Sequence, residues 1–379
     1  MHVAVYSEHF HKNPSGPRLS AIQISKALLR LGARVTVLNL SRHNGLEPVD
    51  GIGDVVHAKH SWKVLPVRYG RHRFCARQLH ALHRRDPVDC VLAMGTWVGA
   101  GAALFKRKCG VPFVLNPRSR IAHKPGNWKY DHDVAVVKAC GAFVGISETE
   151  VQGWCQATGV PRDGRFSAVH NGFDPTVLDG DTEALPGVPT DQPVILCMAM
   201  LRKSKGQHRL MQALDTMDDL PWFCVMAGGG RDHEQAWVKE RFASMKLKHR
   251  VLLPGTVTGA RWRWLYHHAS IFCLAPVYPE AFGNAFVEAQ AAGLPVVTSN
   301  RGGQTEVVGP ESAILVPRGD DMTPALAAAL RKLLGDAELR KRMGDAGRER
   351  AKLFTWDNAG RGYQRAIEYA ITHAGESHG

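Results

Sequence analysis

Short apolar segments alternate with longer amphipathic segments along the whole chain, and this alternation limits the possible folds more than any other feature. Strands that are separated by helices form parallel sheets whose two faces are both covered. The pattern therefore predicts an α/β protein with a doubly wound, Rossmann-like sheet in each half. Predicted strands lie near 2–7, 34–40, 54–57, 88–93, 111–116, 142–146 and 166–170, then 194–198, 222–227, 250–253, 271–275, 295–298 and 313–316.

An acidic, proline-rich stretch from Pro175 to Pro193 separates the two halves and is typical of a linker. The chain of 379 residues is long enough for two domains that each bury their own core. We predict an N-terminal domain over 1–175, a linker over 176–192 and a C-terminal domain over 193–355. The tail 356–379 is predicted to be helical. Ligands are expected at the carboxyl ends of the strands.

The composition is that of a soluble globular protein, with 44% hydrophobic and 22% charged residues. The first six residues, Met1–Tyr6, read directly as a strand rather than as a signal peptide. The uncharged stretch 91–105 is shorter than the roughly 20 residues that cross a bilayer. The eight cysteines form no C-x-x-C pair, so neither a zinc site nor a disulfide framework is indicated. We expect reduced thiols in a cytoplasmic protein.

The formal net charge is +13, and many of the cations lie between Lys59 and Lys124. A basic balance favours anionic partners such as nucleic acid, phospholipid headgroups or a phosphorylated glycolipid. The sequence shows no recognisable nucleic-acid-binding module. We therefore predict peripheral association with the anionic inner face of the cell membrane, and no nucleic-acid partner.

Two glutamates bracket the segment Glu280-Ala-Phe-Gly-Asn-Ala-Phe-Val-Glu288. The first glutamate is predicted to lie in a loop and the second in the first turns of a helix over 284–292, which Gly293 ends. Backbone N–H groups at the start of that helix suit an anion such as a diphosphate. Carboxylates would repel a phosphate but accept hydrogen bonds from hydroxyl groups, which a nucleotide sugar carries on both sides of its diphosphate.

The segment, with the downstream sequences Ala289–Val297 and Gly302–Val308, resembles the E-x7-E motif of the retaining GT-B glycosyltransferases of glycosyltransferase family 4. This resemblance spans essentially the whole chain. It implies two Rossmann-like domains facing a cleft, with the C-terminal helix crossing back to the N-terminal domain. It also implies transfer of a hexose from a UDP- or GDP-sugar with retention at the anomeric carbon.

The resemblance also implies roles for individual residues. Glu280 would bind hydroxyls of the donor sugar, and Glu288 would bind the ribose. Lys205 and Arg202 would neutralise the leaving diphosphate, so that no metal and no cofactor beyond the nucleotide sugar are expected. The remaining contacts to the diphosphate would come from Gly16, in the loop Asn13–Ser20, and from the N–H groups of Phe282, Gly283 and Asn284.

Three positions depart from the family pattern. Ser15 precedes Gly16 where paired glycines are usual, and Met200 stands where an arginine is usual, so that Arg202 is the substitute. Arg118 occupies a position near which related enzymes commonly place a histidine. An arginine can bind an acceptor phosphate but cannot shuttle a proton at neutral pH. Arg118 and Ser147 are the candidates for the acceptor side.

The predicted acceptor is a lipid-linked sugar, a lipopolysaccharide or an exopolysaccharide at the cytoplasmic face of the membrane. A glycosyltransferase with a small soluble acceptor remains an alternative. A GT-B-like nucleotide-sugar epimerase is a second alternative, and it needs no acceptor. Release of a free nucleoside diphosphate separates transfer from epimerisation.

Overall fold

The computed structural model describes residues 1–7, 16–39, 51–52, 54–57, 67–118, 121 and 123–375. The chain divides into two compact units. The first unit contains Met1–Gly172 and Thr355–Gly379, and the second contains Phe173–Phe354. Each unit has a parallel sheet with helices between its strands. The predicted fold class of two Rossmann-like parallel-sheet domains is confirmed.

The first unit has, within the described residues, a seven-stranded parallel sheet in the order β3-β2-β1-β4-β5-β6-β7. Its strands are β1 (His2–Ser7), β2 (Arg34–Asn39), β3 (Asp54–His57), β4 (Cys90–Met94), β5 (Phe113–Asn116), β6 (Ala142–Gly145) and β7 (Phe166–Ala168). Its helices are α1 (Gly16–Arg30), α2 (Val67–Arg85), α3 (Thr96–Cys109), α4 (Trp128–Ala139), α5 (Glu148–Thr158) and α13 (Trp356–Thr372).

Both faces of this sheet are buried, which explains why its strands read as continuous apolar runs. Successive side chains of a strand point to opposite faces. In β1, Ala4 and Tyr6 join one hydrophobic cluster. Val3 and Val5 join a second cluster on the opposite face. An apolar residue is therefore needed at every position of the strand, as expected for a parallel sheet covered by helices.

The C-terminal helix α13 packs against α1 and the strands of the first unit. Gly360 lies so close to α1 that an added Cβ would come within 2.6 Å of the Ala27 side chain. Ile367 is fully buried in the cluster that contains Val3 and Val5. The last helix therefore completes the core of the unit that the first residues of the chain begin.

The second unit has a six-stranded parallel sheet in the order β10-β9-β8-β11-β12-β13. Its strands are β8 (Val194–Met198), β9 (Phe223–Ala227), β10 (Val251–Gly255), β11 (Ile271–Cys273), β12 (Val296–Ser299) and β13 (Ala313–Val316). Its helices are α6 (Gln207–Leu214), α7 (Asp232–Ala243), α8 (Gly259–His268), α9 (Asn284–Ala291), α10 (Gln304–Val307), α11 (Met322–Gly335) and α12 (Ala337–Ala351).

The segment 176–192, which the sequence predicts to be a linker, belongs to the second unit. Carbonyl oxygens along it are bonded by side chains of α8. Arg263 Nε donates to the Asp181 carbonyl over 2.8 Å, and ring nitrogens of His267 and His268 contact the carbonyls of Leu178 and Pro189. These contacts hold the stretch against its own unit, despite a composition typical of a linker. No helix in the described part of the chain is both long and apolar enough to span a membrane.

Replacing Ile367 by alanine tests the contribution of α13 to the first unit. Ile367 is fully buried, so Ile367→Ala is expected to lower the free energy of unfolding by about 2–5 kcal/mol. Urea denaturation followed by circular dichroism measures the change. Arg365→Ala, at an exposed position of the same helix, is the control and should change the stability by less than about 0.5 kcal/mol. Equal losses in both variants would contradict the packing role of Ile367.

Candidate active site

The loops that follow β8 and β9 and the last residue of β10 are joined by backbone hydrogen bonds at the carboxyl edge of the second sheet. Leu201 N–H donates to Gly229 O over 2.6 Å, and Gly228 N–H donates to Gly255 O over 2.8 Å. The strand order reverses direction between β8 and β11. In open α/β sheets, ligands bind outside the carboxyl ends of the strands at this topological switch point.

Gly206 brings the loop after β8 against the loop after β11. Its φ angle is 79°, and an added Cβ would lie 1.9 Å from the carbonyl oxygen of Ala275. The two loops are also joined by a hydrogen bond of 3.1 Å from Val277 N–H to Ser204 O. Only glycine allows this approach. The approach places Lys205, the residue before Gly206, beside the second loop.

Lys205 and Glu280 form an ion pair at this junction. The Lys205 Nζ to Glu280 Oε2 distance is 2.5 Å, and the side chains are only 18% and 21% exposed. Sequence analysis predicts both residues for the site, although 75 positions separate them. Partial burial strengthens the attraction because less water screens it. The structure brings the predicted cation and carboxylate into direct contact.

The backbone of Glu280 is held by a third loop, the one after β12. Gly303 N–H donates to Glu280 O over 2.8 Å, and Glu280 forms a parallel bridge with Gly302. Gly302 has a φ of 90°, and an added Cβ would lie 2.7 Å from both the N and O atoms of Glu280. Sequence analysis includes these glycines in the motif without assigning them a role. Their signal is a pair of adjacent glycines that begins three residues after the end of a strand.

Helix α9 begins beside Glu280, and the predicted donor contacts Phe282, Gly283 and Asn284 lie at its start. Gly283 is its N-cap residue with a φ of 90°, and Asn284 is its first residue. The Phe282 side chain is buried, with its ring edge-on to Phe354 at a centroid distance of 5.8 Å. This packing anchors the turn. The first N–H groups of an α-helix have no acceptor within the helix and attract anions.

Glu288 lies in the second turn of α9 and is bonded by a residue that the sequence analysis misses. The buried Tyr266, on α8, donates its hydroxyl to Glu288 Oε2 over 2.6 Å. Burial raises the pKa of Glu288, and the hydrogen bond from Tyr266 opposes that rise. Burial, together with the neighbouring Glu288 carboxylate, raises the pKa of Tyr266 well above its ordinary value. Tyr266 thereby fixes the orientation of one carboxylate oxygen.

Arg202, the predicted substitute for the usual family arginine, lies in the same loop as Lys205. Its Nε is 3.2 Å from Glu234 Oε1 on α7, and its side chain is 40% exposed. The pair leaves the guanidinium partly accessible to solvent. A contact between Arg202 and a diphosphate stays a prediction.

Two predicted site residues of the first unit, Gly16 and Ser147, lie at the N-terminal ends of helices. Gly16 is the first residue of α1, and the rest of the predicted loop before it, Asn13–Ser15, lies outside the described residues. Ser147 is the N-cap of α5, where its side chain accepts a hydrogen bond of 3.0 Å from Glu150 N–H. Its side chain is buried, so the observed role of Ser147 is to begin the helix.

Arg118 follows β5 and has a φ of 62°. Among the residues that the structure describes, no other non-glycine residue has a positive φ. Nitrogen atoms of its guanidinium are buried, near Tyr363 and Glu150. Burial lowers the pKa of Arg118, and the nearby Tyr363 and Glu150 oppose that change. Burial raises the pKa of Tyr363 to about 12, while Arg118 acts in the opposite direction. Helix α13 thus contributes directly to the surroundings of Arg118.

Within the described residues, no group of three or more His, Cys, Asp and Glu side chains is arranged to hold a metal ion. The D-x-D triplet Asp131-His-Asp133 lies in the first turns of α4, where the His132 ring contacts Asp133 at 3.1 Å. The second triplet, Asp179-Gly-Asp181, lies on the segment that packs against α8.

Two family descriptions match the chain, one for each unit. Residues 182–350 match Glycosyl transferases group 1. Residues 15–172 match Glycosyl transferase 4-like domain. The boundary between the two matches falls between the two compact units of the structure.

Similar proteins and structures agree with these matches. The D-inositol 3-phosphate glycosyltransferase of Xylanimonas cellulosilytica is 26% identical over 378 residues, which cover 91% of this chain and 89% of that protein. The GDP-mannose-dependent alpha-mannosyltransferase of Mycolicibacterium smegmatis is 26% identical over 378 residues, 94% of each chain. The crystal structure of Anabaena HepE in complex with UDP is similar in fold, with a TM-score of 0.77 at 18% identity, covering 97% of this chain and 100% of HepE.

Fold and sequence matches together define a glycosyltransferase with the GT-B fold, acting as a hexosyltransferase. The chain belongs to the group 1 glycosyltransferases, with a family 4-like first unit and a group 1 second unit.

Replacing Gly206 by alanine tests the close approach of the two loops that carry Lys205 and Glu280. Gly206→Ala is expected to lower the free energy of unfolding by roughly 3 kcal/mol or more, because the new methyl group meets a backbone carbonyl and the left-handed backbone is strained. Gly187→Ala is the matched control, since Gly187 has a similar φ of 84° but open space around its Cβ position. It should cost about 1–2 kcal/mol. Similar losses in urea denaturation would show that the loops are not tightly packed.

The raised pKa of Glu288 predicts a pH-dependent stability. A carboxyl whose pKa is higher in the folded state keeps its proton longer there, so stability falls as pH rises from the unfolded value of about 4.5 through the raised value. Glu288→Gln removes this loss. The free energy of unfolding of the variant relative to wild type should therefore increase over that pH window and then level off. Urea denaturation between pH 4 and 8 measures it, and a constant difference would contradict the burial effect.

Proposed function

We propose that the chain is a retaining hexosyltransferase that takes its sugar from a nucleotide diphosphate donor, a UDP- or GDP-sugar. The proposed acceptor is a lipid-linked sugar, a lipopolysaccharide or an exopolysaccharide at the cytoplasmic face of the membrane. The observation that carries the donor assignment is the 2.5 Å contact between Lys205 and Glu280 beside the start of α9.

The leaving diphosphate would be held by positive groups of the second unit. Lys205 and the N-terminal end of α9 supply a full and a partial positive charge on neighbouring loops. These charges would stabilise the negative charge that develops on the leaving oxygen as the glycosidic bond breaks. Arg202 and Gly16 are proposed as further contacts, as the family resemblance implies. Arg202 would have to share its guanidinium between the diphosphate and Glu234.

Glu280 would accept hydrogen bonds from hydroxyl groups of the transferred sugar. Its backbone is fixed by Gly303, and its Oε2 is oriented by Lys205. A carboxylate held in this way has limited freedom to rotate away from a bound sugar. Lys205 would therefore act twice, on the diphosphate through its charge and on the sugar through Glu280.

Glu288 would bind the ribose of the nucleotide. Tyr266 occupies Oε2, so Oε1 is the oxygen proposed to accept from ribose hydroxyls. A hydrogen bond to a charged group contributes about 1.5–3 kcal/mol. Binding requires the ionised form, and the raised pKa of Glu288 makes this contact sensitive to acid.

We propose that retention arises from a front-face displacement. The bond between the anomeric carbon and the leaving phosphate oxygen breaks, and the acceptor hydroxyl forms the new bond on the same face. The departing phosphate oxygen takes the proton of that hydroxyl. Arg118, at the position near which the family usually has a histidine, keeps its proton at neutral pH, so it would serve the acceptor side as a fixed charge.

A small soluble acceptor with a phosphate group is the second candidate. It is favoured by similar proteins named D-inositol 3-phosphate glycosyltransferase, from Xylanimonas cellulosilytica and from other organisms. Such an acceptor would carry the same anionic group as a lipid phosphate. Release of nucleoside diphosphate, measured with inositol phosphates and then with membrane glycolipids, separates the two acceptors.

Kinetics of glutamine variants test the donor site. Glu280→Gln is expected to lower kcat by about 10²–10³-fold, since the lost charge acts on the reacting sugar. Glu288→Gln should mainly raise the donor KM by roughly 10–100-fold, the equivalent of one charged hydrogen bond. Glu338→Gln on α12 is an exposed control and should behave as wild type. Unchanged turnover in both site variants would refute the assignment.

The stereochemical proposal has its own measurement. Proton NMR of the fresh product reports the anomeric configuration relative to the donor. Retention is expected. An inverted product would overturn the front-face displacement while leaving the donor site in place.

A further inference from the structure

A cavity of about 350 Å³ lies in the second unit, where β10 ends and α8 begins. Its polar side chains come from two separate segments of the chain. Thr256 and Thr258 belong to the loop between β10 and α8, Arg261 belongs to the first turn of α8, and Glu183 belongs to the stretch 176–192. The stretch with the composition of a linker thus supplies a carboxylate to a cavity at the carboxyl edge of the second sheet.

Glu183 and Arg261 form an ion pair in this cavity. Arg261 Nε and Nη2 donate to Glu183 Oε1 over 3.0 and 2.5 Å. Glu183 N–H donates to the Ala260 carbonyl over 3.3 Å, which holds the backbone of the acid beside the helix. Within the described residues, Glu183 Oε2 and Arg261 Nη1 take part in no hydrogen bond. The pair therefore keeps one acceptor and one donor available to a ligand.

The cavity lies on the same sheet edge as the groups proposed for the donor. Gly228 N–H donates to the carbonyl of Gly255, the last residue of β10. An added Cβ on Gly229 would lie 2.7 Å from Thr256 Oγ1, so the loop after β9 touches the wall of the cavity. β10 is two strands away from β8, which corresponds to about 10 Å. The loop after β8 carries Lys205, the proposed diphosphate contact.

Helix α8 connects the cavity to the proposed ribose contact. Arg261 lies in its first turn, and Tyr266 lies five residues later, about 7.5 Å further along the helix axis. Tyr266 donates to Glu288 Oε2, and Glu288 is the residue proposed to bind the ribose. A nucleotide held by Lys205 and Glu288 would therefore extend its base toward the start of α8.

We propose that the pair of Glu183 and Arg261 binds the base of the donor and selects guanine, so that the donor is a GDP-sugar. This inference rests on the nucleotide-sugar donor of the proposed function and adds the identity of its base. The N1–H and N2–H groups of guanine donate to the Glu183 carboxylate. The O6 atom of guanine accepts from Arg261.

The hydrogen-bonding edges of the bases explain this selection. The Watson–Crick edge of guanine carries one acceptor, O6, followed by two donors, N1–H and N2–H. A guanidinium only donates and a carboxylate only accepts, so the pair satisfies all three groups. Uracil has a carbonyl oxygen on each side of its N–H group, and one of these would face the carboxylate. A site whose polar groups are left unpaired by a competing ligand rejects that ligand strongly.

Titration of the full-length chain with nucleoside diphosphates tests the proposal. Isothermal titration calorimetry measures the affinity for GDP, UDP and IDP. IDP differs from GDP only in lacking the N2 amino group. GDP is expected to bind at least about tenfold more tightly than UDP and about tenfold more tightly than IDP, since each loses a hydrogen bond to a charged group.

Two variants assign the contacts within the base. Glu183→Gln should bind GDP about tenfold more weakly and should no longer distinguish GDP from IDP, because an amide donor replaces one acceptor oxygen. Arg261→Gln should weaken GDP and IDP by equal factors, since both keep O6. Glu349→Gln removes an exposed, ion-paired acid on α12 and should bind all three nucleotides as wild type. Circular dichroism checks that each variant is folded.

The outcomes separate this inference from the proposed function. Equal binding of GDP and UDP by the wild-type chain, or a preference for GDP over IDP that survives in Glu183→Gln, would refute the guanine site. If UDP binds tightly in that case, the nucleotide-sugar donor of the proposed function stands. If neither nucleotide binds and neither GDP-glucose nor UDP-glucose releases a nucleoside diphosphate, the proposed function fails together with the base assignment.

Discussion

The ion pair between Lys205 and Glu280 depends on close backbone packing at the carboxyl edge of the second sheet. Three loops meet there, after β8, β11 and β12. Gly206 lets the first loop touch the second, and Gly302 lets the third reach the backbone of Glu280. A side chain at either position would push the loops apart. The charged pair is therefore a consequence of glycine placement, and its geometry is set before any substrate arrives.

Much of this arrangement is predictable from sequence, and the reasons are local. Parallel strands buried on both faces read as apolar runs, so their positions and the fold class follow directly. Glu280, Glu288 and the start of α9 are predicted from acids around a helix start, together with the resemblance of the surrounding sequence to the E-x7-E motif. From the sequence, Lys205 and Glu280 can be assigned to the same site, but their direct contact cannot be predicted. The two residues are 75 positions apart, and the local sequence does not determine the distance between them.

Other features escape sequence reasoning because they depend on packing between distant segments. Tyr266 is one tyrosine on an aromatic helix, and only the fold aligns its hydroxyl with Glu288. The stretch 176–192 has the composition of a linker, yet α8 supplies donors to its carbonyls. Arg118 lies beside Tyr363, which comes from the opposite end of the chain. Composition and spacing contain no information on such pairings.

The position of α13 has a consequence for biosynthesis. The ribosome completes the second unit before it releases the helix that finishes the first. Until then, the face of the first sheet that contains Val3 and Val5 lacks the covering that Ile367 and Ala370 provide. The nascent first unit therefore exposes apolar side chains of this face to water until α13 has been synthesised. Premature termination anywhere in the second unit would leave an aggregation-prone fragment rather than an independent domain.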